Sequence, residues 1–218
     1  MSLLALFKGN GATGFGYGST AEDVTEGLDL HGRTVLLTGC NSGIGKETLR
    51  VLTKRGARVV AAARSVEKAR AACDDVAGET TPIACELSEP ASVRACADEV
   101  IALGRPLDAV ICNAGIMALP KLELKHGYEL QFFTNHIGHF ILVTSLLDRL
   151  ADRGRVVVVS SDAHRGAPAE GIQFDNLDGK RGYAAWANYG QSKLANLLFA
   201  RHLAARLEGT GKTANALH

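Results

Sequence analysis

The sequence predicts an α/β fold: a doubly wound parallel sheet with helices on both faces. Short apolar runs rich in strand formers alternate with helical patterns along most of the chain, as in a sheet buried on both sides. A glycine-rich turn, G-C-N-S-G-I-G at 39–45, joins the first strand pattern to the first long helix pattern. The connections are short, with no internal repeat and no linker composition to divide the chain.

Residues 1–18 are glycine-rich and unpatterned, and with a short helix at Ser19–Glu26 they form an N-terminal arm, 1–30, ahead of one domain, 31–218. Val35, Leu36 and Leu37 open the first strand, and K-E-T-L-R-V-L-T-K-R continues as a helix ending at Gly56. Ala57–Ala63 reads as the second strand, 65–77 as the second helix and Thr81–Leu87 as the third strand. Ser88 caps a helix over 89–103 that Gly104-Arg105-Pro106 stops. Leu107–Cys112 is a fourth strand, 125–150 one long helix and Arg155–Ser160 a fifth strand. A polar excursion at 162–182 leads to a helix over 183–208, and a sixth strand begins at Thr213. The chain ends there, as if cut off at that strand.

At 218 residues the chain suits one domain with a sizeable core, and a net charge of +1 supplies no field to recruit nucleic acid or an anionic membrane. Five cysteines without a C-x-x-C pair suggest reduced thiols in a cytoplasmic setting, with Cys40 and Cys112 as small buried filler. No apolar run approaches the roughly 20 residues that span a bilayer, and L-L-A-L-F near the start is too short for a signal-peptide core.

Strand, glycine turn and helix together make the front half of a dinucleotide-binding unit of Rossmann type. Gly39, Gly43 and Gly45 leave backbone N–H groups open to a pyrophosphate at the positive end of the helix. At the end of the second strand an acidic residue ordinarily holds the adenosine ribose and selects NAD. Here Ala63 takes that place and Arg64 follows. A guanidinium grips a 2′-phosphate and no carboxylate repels it, so NADP(H) is favoured, with NAD(H) left open.

Tyr189 and Lys193 stand four residues apart, on one helix face. A tyrosine ordinarily titrates near about 10; a neighbouring ammonium and an oxidised nicotinamide favour its phenolate, making Tyr189 an acid/base for an alcohol or carbonyl. Ser161, at the mouth of the fifth strand, can orient the substrate oxygen.

T-G-C-N-S-G-I-G, C-N-A-G at 112–115, V-S-S at 159–161 and Y-G-Q-S-K at 189–193 occur in order. Together they resemble the short-chain dehydrogenase/reductase family across 30–218. N-H-I-G-H-F at 135–140 and Y-x-x-S-K-L-A-N at 189–196 resemble its retinol dehydrogenase and WW-domain oxidoreductase branch. The resemblance implies a catalytic tetrad of Asn135, Ser161, Tyr189 and Lys193. Asn135 would hold a relay water, and Lys193 would bind the nicotinamide ribose. It also implies cofactor contacts from Asn41, Ser42, Ile44, Glu86, Leu87, Asn113, Ala114 and Gly115. Cys112 stands where the family has asparagine, and Glu86 where it has aspartate.

The expected function is an oxidoreductase passing hydride between nicotinamide and a small alcohol or carbonyl substrate. A non-catalytic dinucleotide-binding or interaction protein is the alternative, and an epimerase or dehydratase a third. The branch often pairs through its long helices, so a homodimer or homotetramer is open. His136 and His139, at i and i+3, lack supporting carboxylates or cysteines, and no metal site is expected.

Overall fold

The computed structural model describes residues 11–218, so the first ten residues of the expected arm lie outside the described residues. A short helix, α1 (Ala21–Val24), follows. Thr20 rather than Ser19 caps it, in a reciprocal capping box with Asp23. Glu22 binds Arg50 at 2.6 Å and Lys54 at 2.9 Å, which ties α1 to the helix after the glycine turn.

The domain runs β1 (Thr34–Thr38), α2 (Gly43–Lys54), β2 (Arg58–Ala63), α3 (Val66–Asp74), β3 (Thr80–Ala84), α4 (Pro90–Ala102) and β4 (Leu107–Cys112). A two-stranded hairpin follows, β5 (Leu124–Lys125) and β6 (Tyr128–Glu129). Then come α5 (Leu130–Phe132), a π-helical segment Phe133–Ile137 and α6 (Gly138–Leu146). The chain continues through β7 (Leu150–Val159), 3₁₀ turns at Asp162–Gly166 and Phe174–Asn176, α7 (Ala185–Arg206) and β8 (Thr213–Leu217). The main sheet has the order β3-β2-β1-β4-β7-β8 with every pair parallel. The strand order reverses between β1 and β4, the switch point at which open α/β sheets bind ligands.

Alternation along the strands divides the core. On β1, Leu36 enters a cluster with Val93 and Val100 of α4, Leu142 and Leu146 of α6, and Phe199 and Leu203 of α7. Val35 and Leu37 face the other way, against Leu49 of α2 and Ala69 and Ala72 of α3. That period of two is why the strands read as continuous apolar runs.

Several local expectations are corrected. Residues 125–129 are not helical: His126 (φ 49°) and Gly127 (φ 83°) form a two-residue turn with both residues left-handed, which joins β5 to β6. The long helix thus begins at Leu130 and passes through the π segment. Ser88 does not cap α4; Glu89 takes that position, with Pro90 in the first turn, and Ser88 instead donates its N–H and hydroxyl to Glu86 Oε1. β3 stops at Ala84, before Leu87, and β7 begins at Leu150, with an irregular register opposite Leu107–Ala109.

Leu142 is fully buried where α6 meets the sheet. Replacing it with alanine is expected to cost about 2–5 kcal/mol, read as a lowered urea midpoint with an unchanged m-value.

Candidate active site

A cleft of about 710 Å³ opens at the carboxyl ends of β1, β2, β3 and β4. The glycine turn supplies Gly39, Asn41, Ser42, Gly43, Ile44 and Gly45 to its wall. Arg64 comes from the end of β2, Glu86 and Leu87 from beyond β3, and Asn113, Ala114 and Gly115 from the end of β4. The structure therefore brings together around one opening twelve of the fourteen residues expected to meet the cofactor; the other two, Tyr189 and Lys193, are not part of its lining. Ala63, Cys85, Ser88, Ile116, Leu130 and Thr134 also line it. Ala63 is at the end of β2, where the sequence put it; sequence reasoning missed the other five, of which only Ser88, next to a predicted position, carried a local signal.

The three glycines have different physical reasons. A Cβ at Gly45 would lie 2.0 Å from the Gly39 carbonyl oxygen and 2.5 Å from Asn113 Nδ2. Gly39 (φ 70°) is pressed against Ala114 in the same way, at 2.9 Å. Both are demanded by packing of the turn on the end of β4. At Gly43 (φ 52°) a Cβ would meet no atom within 4 Å, so there the left-handed backbone calls for glycine. Ser42 occupies the N-cap of α2 without a side-chain hydrogen bond, which leaves the first-turn N–H groups for an anion. These features fit a dinucleotide pyrophosphate.

Arg64 is exposed, and its guanidinium has no hydrogen bond or ion pair among the described residues. Lys46, by contrast, is held by Asp75 at 2.6 Å. Glu86 takes a structural load, accepting from the N–H and hydroxyl of Ser88 at 3.1 and 3.0 Å.

None of the four catalytic candidates lines the cleft itself; Asn135 and Lys193 lie just behind its wall, where a Cβ on Gly115 would come 3.1 Å from Asn135 Oδ1 and 3.5 Å from Lys193 Nζ. Tyr189 and Lys193 lie on the buried face of α7, with the ammonium 5.7 Å from the phenol ring centroid. Lys193 is 3% exposed and donates to the Val159 carbonyl at 2.9 Å. A Cβ on Gly115 would come within 3.5 Å of its Nζ, so Lys193 abuts the cleft wall. Burial pulls its pKa down to about 8, because an ammonium removed from water is penalised. The Tyr189 hydroxyl has no hydrogen-bond partner among the described residues. Trp186, 61% exposed, stands edge-on to its ring at 6.1 Å.

Asn135 is completely buried in the π segment. Its Oδ1 accepts from Ile116 N–H at 2.8 Å, and its Nδ2 donates to the Ile116 carbonyl and to Ser192 Oγ, both at 2.9 Å. Ser161 caps the 3₁₀ turn, its hydroxyl accepting from Ala163 N–H. It shares no hydrogen bond with Tyr189 among the described residues. Gly190 is what brings the turn close, since a Cβ there would strike the Ala163 carbonyl at 2.6 Å. Ser160 points the other way, as alternation predicts: it is buried and donates to the Lys193 carbonyl at 2.8 Å.

Thr38 is a hub that sequence reasoning passed over. Its hydroxyl accepts from Asn113 N–H at 3.0 Å and Ala114 N–H at 3.1 Å, and it lies 2.9 Å from His139 Nε2. The residue type just before Gly39 was the available signal. His139 is buried, with its pKa pushed down to about 4 chiefly by desolvation. His136 instead packs among Phe132, Phe140 and Phe199. Among the described residues no three His, Cys, Asp or Glu side chains converge as a metal set. All five cysteines are buried and unpaired, and burial pushes the Cys40 and Cys112 thiols up to about 12. Tyr183 is a packing residue: its hydroxyl donates to the Leu119 carbonyl at 2.6 Å and accepts from Gln131 Nε2 at 3.1 Å.

Lys193 carries a stability consequence. Its folded pKa of about 8 lies below its ordinary 10.5, so the folded state binds fewer protons between those values and stability rises with pH across that window. Below it, the full burial penalty is present. Lys193→Met removes this dependence. Urea midpoints measured at intervals from pH about 7 to 10 should show wild type gaining on the variant as pH rises, and parallel profiles would contradict the burial cost.

Comparison with known proteins agrees with this geometry. The profile of the short chain dehydrogenase family matches residues 33–218. Retinol dehydrogenase 12 of Mus musculus is 43% identical over 201 residues, covering 89% of this chain and 63% of that protein. The chain therefore spans less than two thirds of that relative's length. The chloroplastic short-chain dehydrogenase TIC 32 B of Brassica napus is 41% identical over 222 residues, covering 95% of this chain and 69% of its own. Among solved structures, an uncharacterised protein from Mycobacterium paratuberculosis superposes with a TM-score of 0.79 at 42% identity, over 87% of this chain and 68% of that one. A metagenomic short-chain oxidoreductase in complex with NADP superposes at 0.67 with 27% identity, over 86% and 80% respectively. No helix among the described residues is long and apolar enough to cross a membrane. A six-stranded parallel sheet, a glycine turn packed on β4 and a Tyr–Lys pair on α7 thus coincide with a match over nearly the whole described domain, and the chain belongs to the short-chain dehydrogenase family of oxidoreductases, in its retinol dehydrogenase branch.

Proposed function

We propose that the protein interconverts a small alcohol and its carbonyl compound with NADP(H), using Tyr189 as the acid/base. The observation that carries this reading is the position of Lys193: its ammonium lies beside the Tyr189 ring and against Gly115, at the junction of cleft wall and α7.

A bound nicotinamide would accept or supply the hydride. The chain's own residues do the rest. The first-turn N–H groups of α2, left without a side-chain cap, bind the pyrophosphate. Asn113, Ala114 and Gly115, on the cleft wall, would form the shelf that holds the dinucleotide. The Tyr189 hydroxyl, free of other partners, binds the substrate oxygen, taking its proton in oxidation and returning it in reduction. Ser161 directs a second hydrogen bond to that oxygen. Lys193 compensates the charge that develops as the proton moves, and holds the nicotinamide ribose. Asn135 Oδ1, which accepts only from Ile116 N–H, keeps one lone pair for a relay water that serves Lys193.

Arg64 supports the phosphate preference. It is exposed at the cleft edge, has no carboxylate partner among the described residues, and follows Ala63 where an acidic residue would select NAD. The NADP complex of a 27% identical relative is consistent with this preference.

In assays with NADPH and a panel of alkyl and aryl aldehydes, Tyr189→Phe is expected to abolish turnover while retaining cofactor binding. Turnover equal to wild type would refute the acid/base role. Trp186 is the only tryptophan, so quenching of its fluorescence reports binding. Arg64→Ala is expected to weaken NADPH by about 10- to 100-fold, the worth of charge-assisted hydrogen bonds, and NADH by less than about threefold. Equal weakening of both would remove Arg64 from the phosphate site.

A further inference from the structure

His139 belongs to none of the groups assigned above, yet it bridges two of them. Its Nδ1 lies 2.9 Å from the backbone carbonyl of Asn135, and its Nε2 lies 2.9 Å from Thr38 Oγ1. Counting donors fixes the arrangement. A carbonyl only accepts, so Nδ1 carries the proton. Both lone pairs of Thr38 Oγ1 are engaged by the N–H groups of Asn113 and Ala114. The hydroxyl therefore donates to Nε2, which must be the bare nitrogen. Every polar atom in the chain Asn135–His139–Thr38–Asn113/Ala114 is satisfied by a neutral imidazole in one tautomer and by no other form. Protonated Nε2 would point at an oxygen with no lone pair to spare.

We propose that His139 is a positioning residue: an Nδ1–H imidazole clamp that holds the Asn135 carbonyl in the π segment and sets the proton-relay end of the site against the cofactor shelf. This rests on the reading of Tyr189 and Lys193 as the acid/base pair. The clamp acts through Asn135. That side chain holds both backbone groups of Ile116 on the cleft wall, and it donates to Ser192, whose neighbour in sequence is Lys193. A displaced Asn135 moves the cleft wall and Lys193 relative to each other. The shelf itself is less exposed to loss of the imidazole, because Thr38 holds Asn113 and Ala114 directly and its hydroxyl has the Ile111 carbonyl at 3.4 Å as a second acceptor. The clamp thus predicts damage to turnover rather than to cofactor binding. A π segment at this point is in keeping with such a role, since π turns concentrate at functional sites.

Three variants separate the two ends of the clamp. His139→Asn keeps a donor near the Nδ1 position for the Asn135 carbonyl and gives up the Thr38 end. His139→Gln reaches Thr38 and gives up the Asn135 end, and His139→Leu gives up both. NADPH affinity by Trp186 quenching should stay within about threefold in all three, while kcat falls by about tenfold or more in His139→Leu and His139→Gln and is largely retained in His139→Asn. Thermal midpoints are recorded for each. Unchanged kcat in His139→Leu, or losses that follow the midpoint regardless of which end is kept, would overturn the proposal. A readout independent of turnover is ring-¹⁵N histidine NMR of the wild-type chain, with the His139 signal assigned by its loss in His139→Leu. A protonated Nδ1 with bare Nε2 is expected; the opposite tautomer or an imidazolium at neutral pH would overturn it. If Tyr189→Phe keeps full turnover while the tautomer is as expected, the acid/base reading has failed and the clamp geometry has not.

Discussion

The hydroxyl of Thr38 sets the distance between the two strand ends on which the cleft is built. β1 and β4 are neighbours in the sheet, yet the hydrogen-bonded register joins them only from Val35 to Leu37. Beyond that the ladder stops, which would leave the backbone N–H of Ala114 without a partner and that of Asn113 with only the Ile111 carbonyl at 3.1 Å. Thr38 Oγ1 accepts both, and Asn113 Nδ2 returns a hydrogen bond to the Thr38 carbonyl at 2.9 Å. The strands can then part at the switch point, opening a cleft without stranding buried polar groups.

The same junction explains the glycine turn. Gly39 and Gly45 are pressed against the backbone and side chains of 113–114, so the loop that would bind a pyrophosphate is held in shape by the shelf on which the nicotinamide half would lie. The two parts of the proposed dinucleotide site are thereby one packed unit. Its rigidity comes from contacts that tolerate no Cβ, and its anion-binding capacity from N–H groups left uncapped at Ser42.

Polar burial near the proposed chemistry works against stability. Lys193, Asn135, Ser192 and His139 are all nearly or wholly removed from water. Their hydrogen bonds satisfy most of this polarity, but Lys193 still has its charged form disfavoured and no carboxylate beside it. A buried ammonium without a counter-ion is costly to a fold and useful to a proton-transfer site, where a pKa near the working range is an advantage.

Much of this was legible in the residues themselves. Period-two apolar runs separated by helical patterns require a parallel sheet covered on both faces, and G-x-x-x-G-x-G after a strand requires a turn that only glycine can make, so the fold and the glycine-built wall of the cleft follow from local chemistry. Position along the chain also placed Arg64 at the cleft edge and Tyr189 with Lys193 on one helix face. The hairpin at 124–129 escaped because a helical pattern overran His126-Gly127, whose left-handed turn is a backbone property. Thr38, His139 and Ser192 escaped for a different reason. Their partners lie 75, 101 and 57 residues away along the chain, and a threonine, a histidine and a serine have no distinctive meaning until the tertiary structure shows which donors and acceptors they must satisfy.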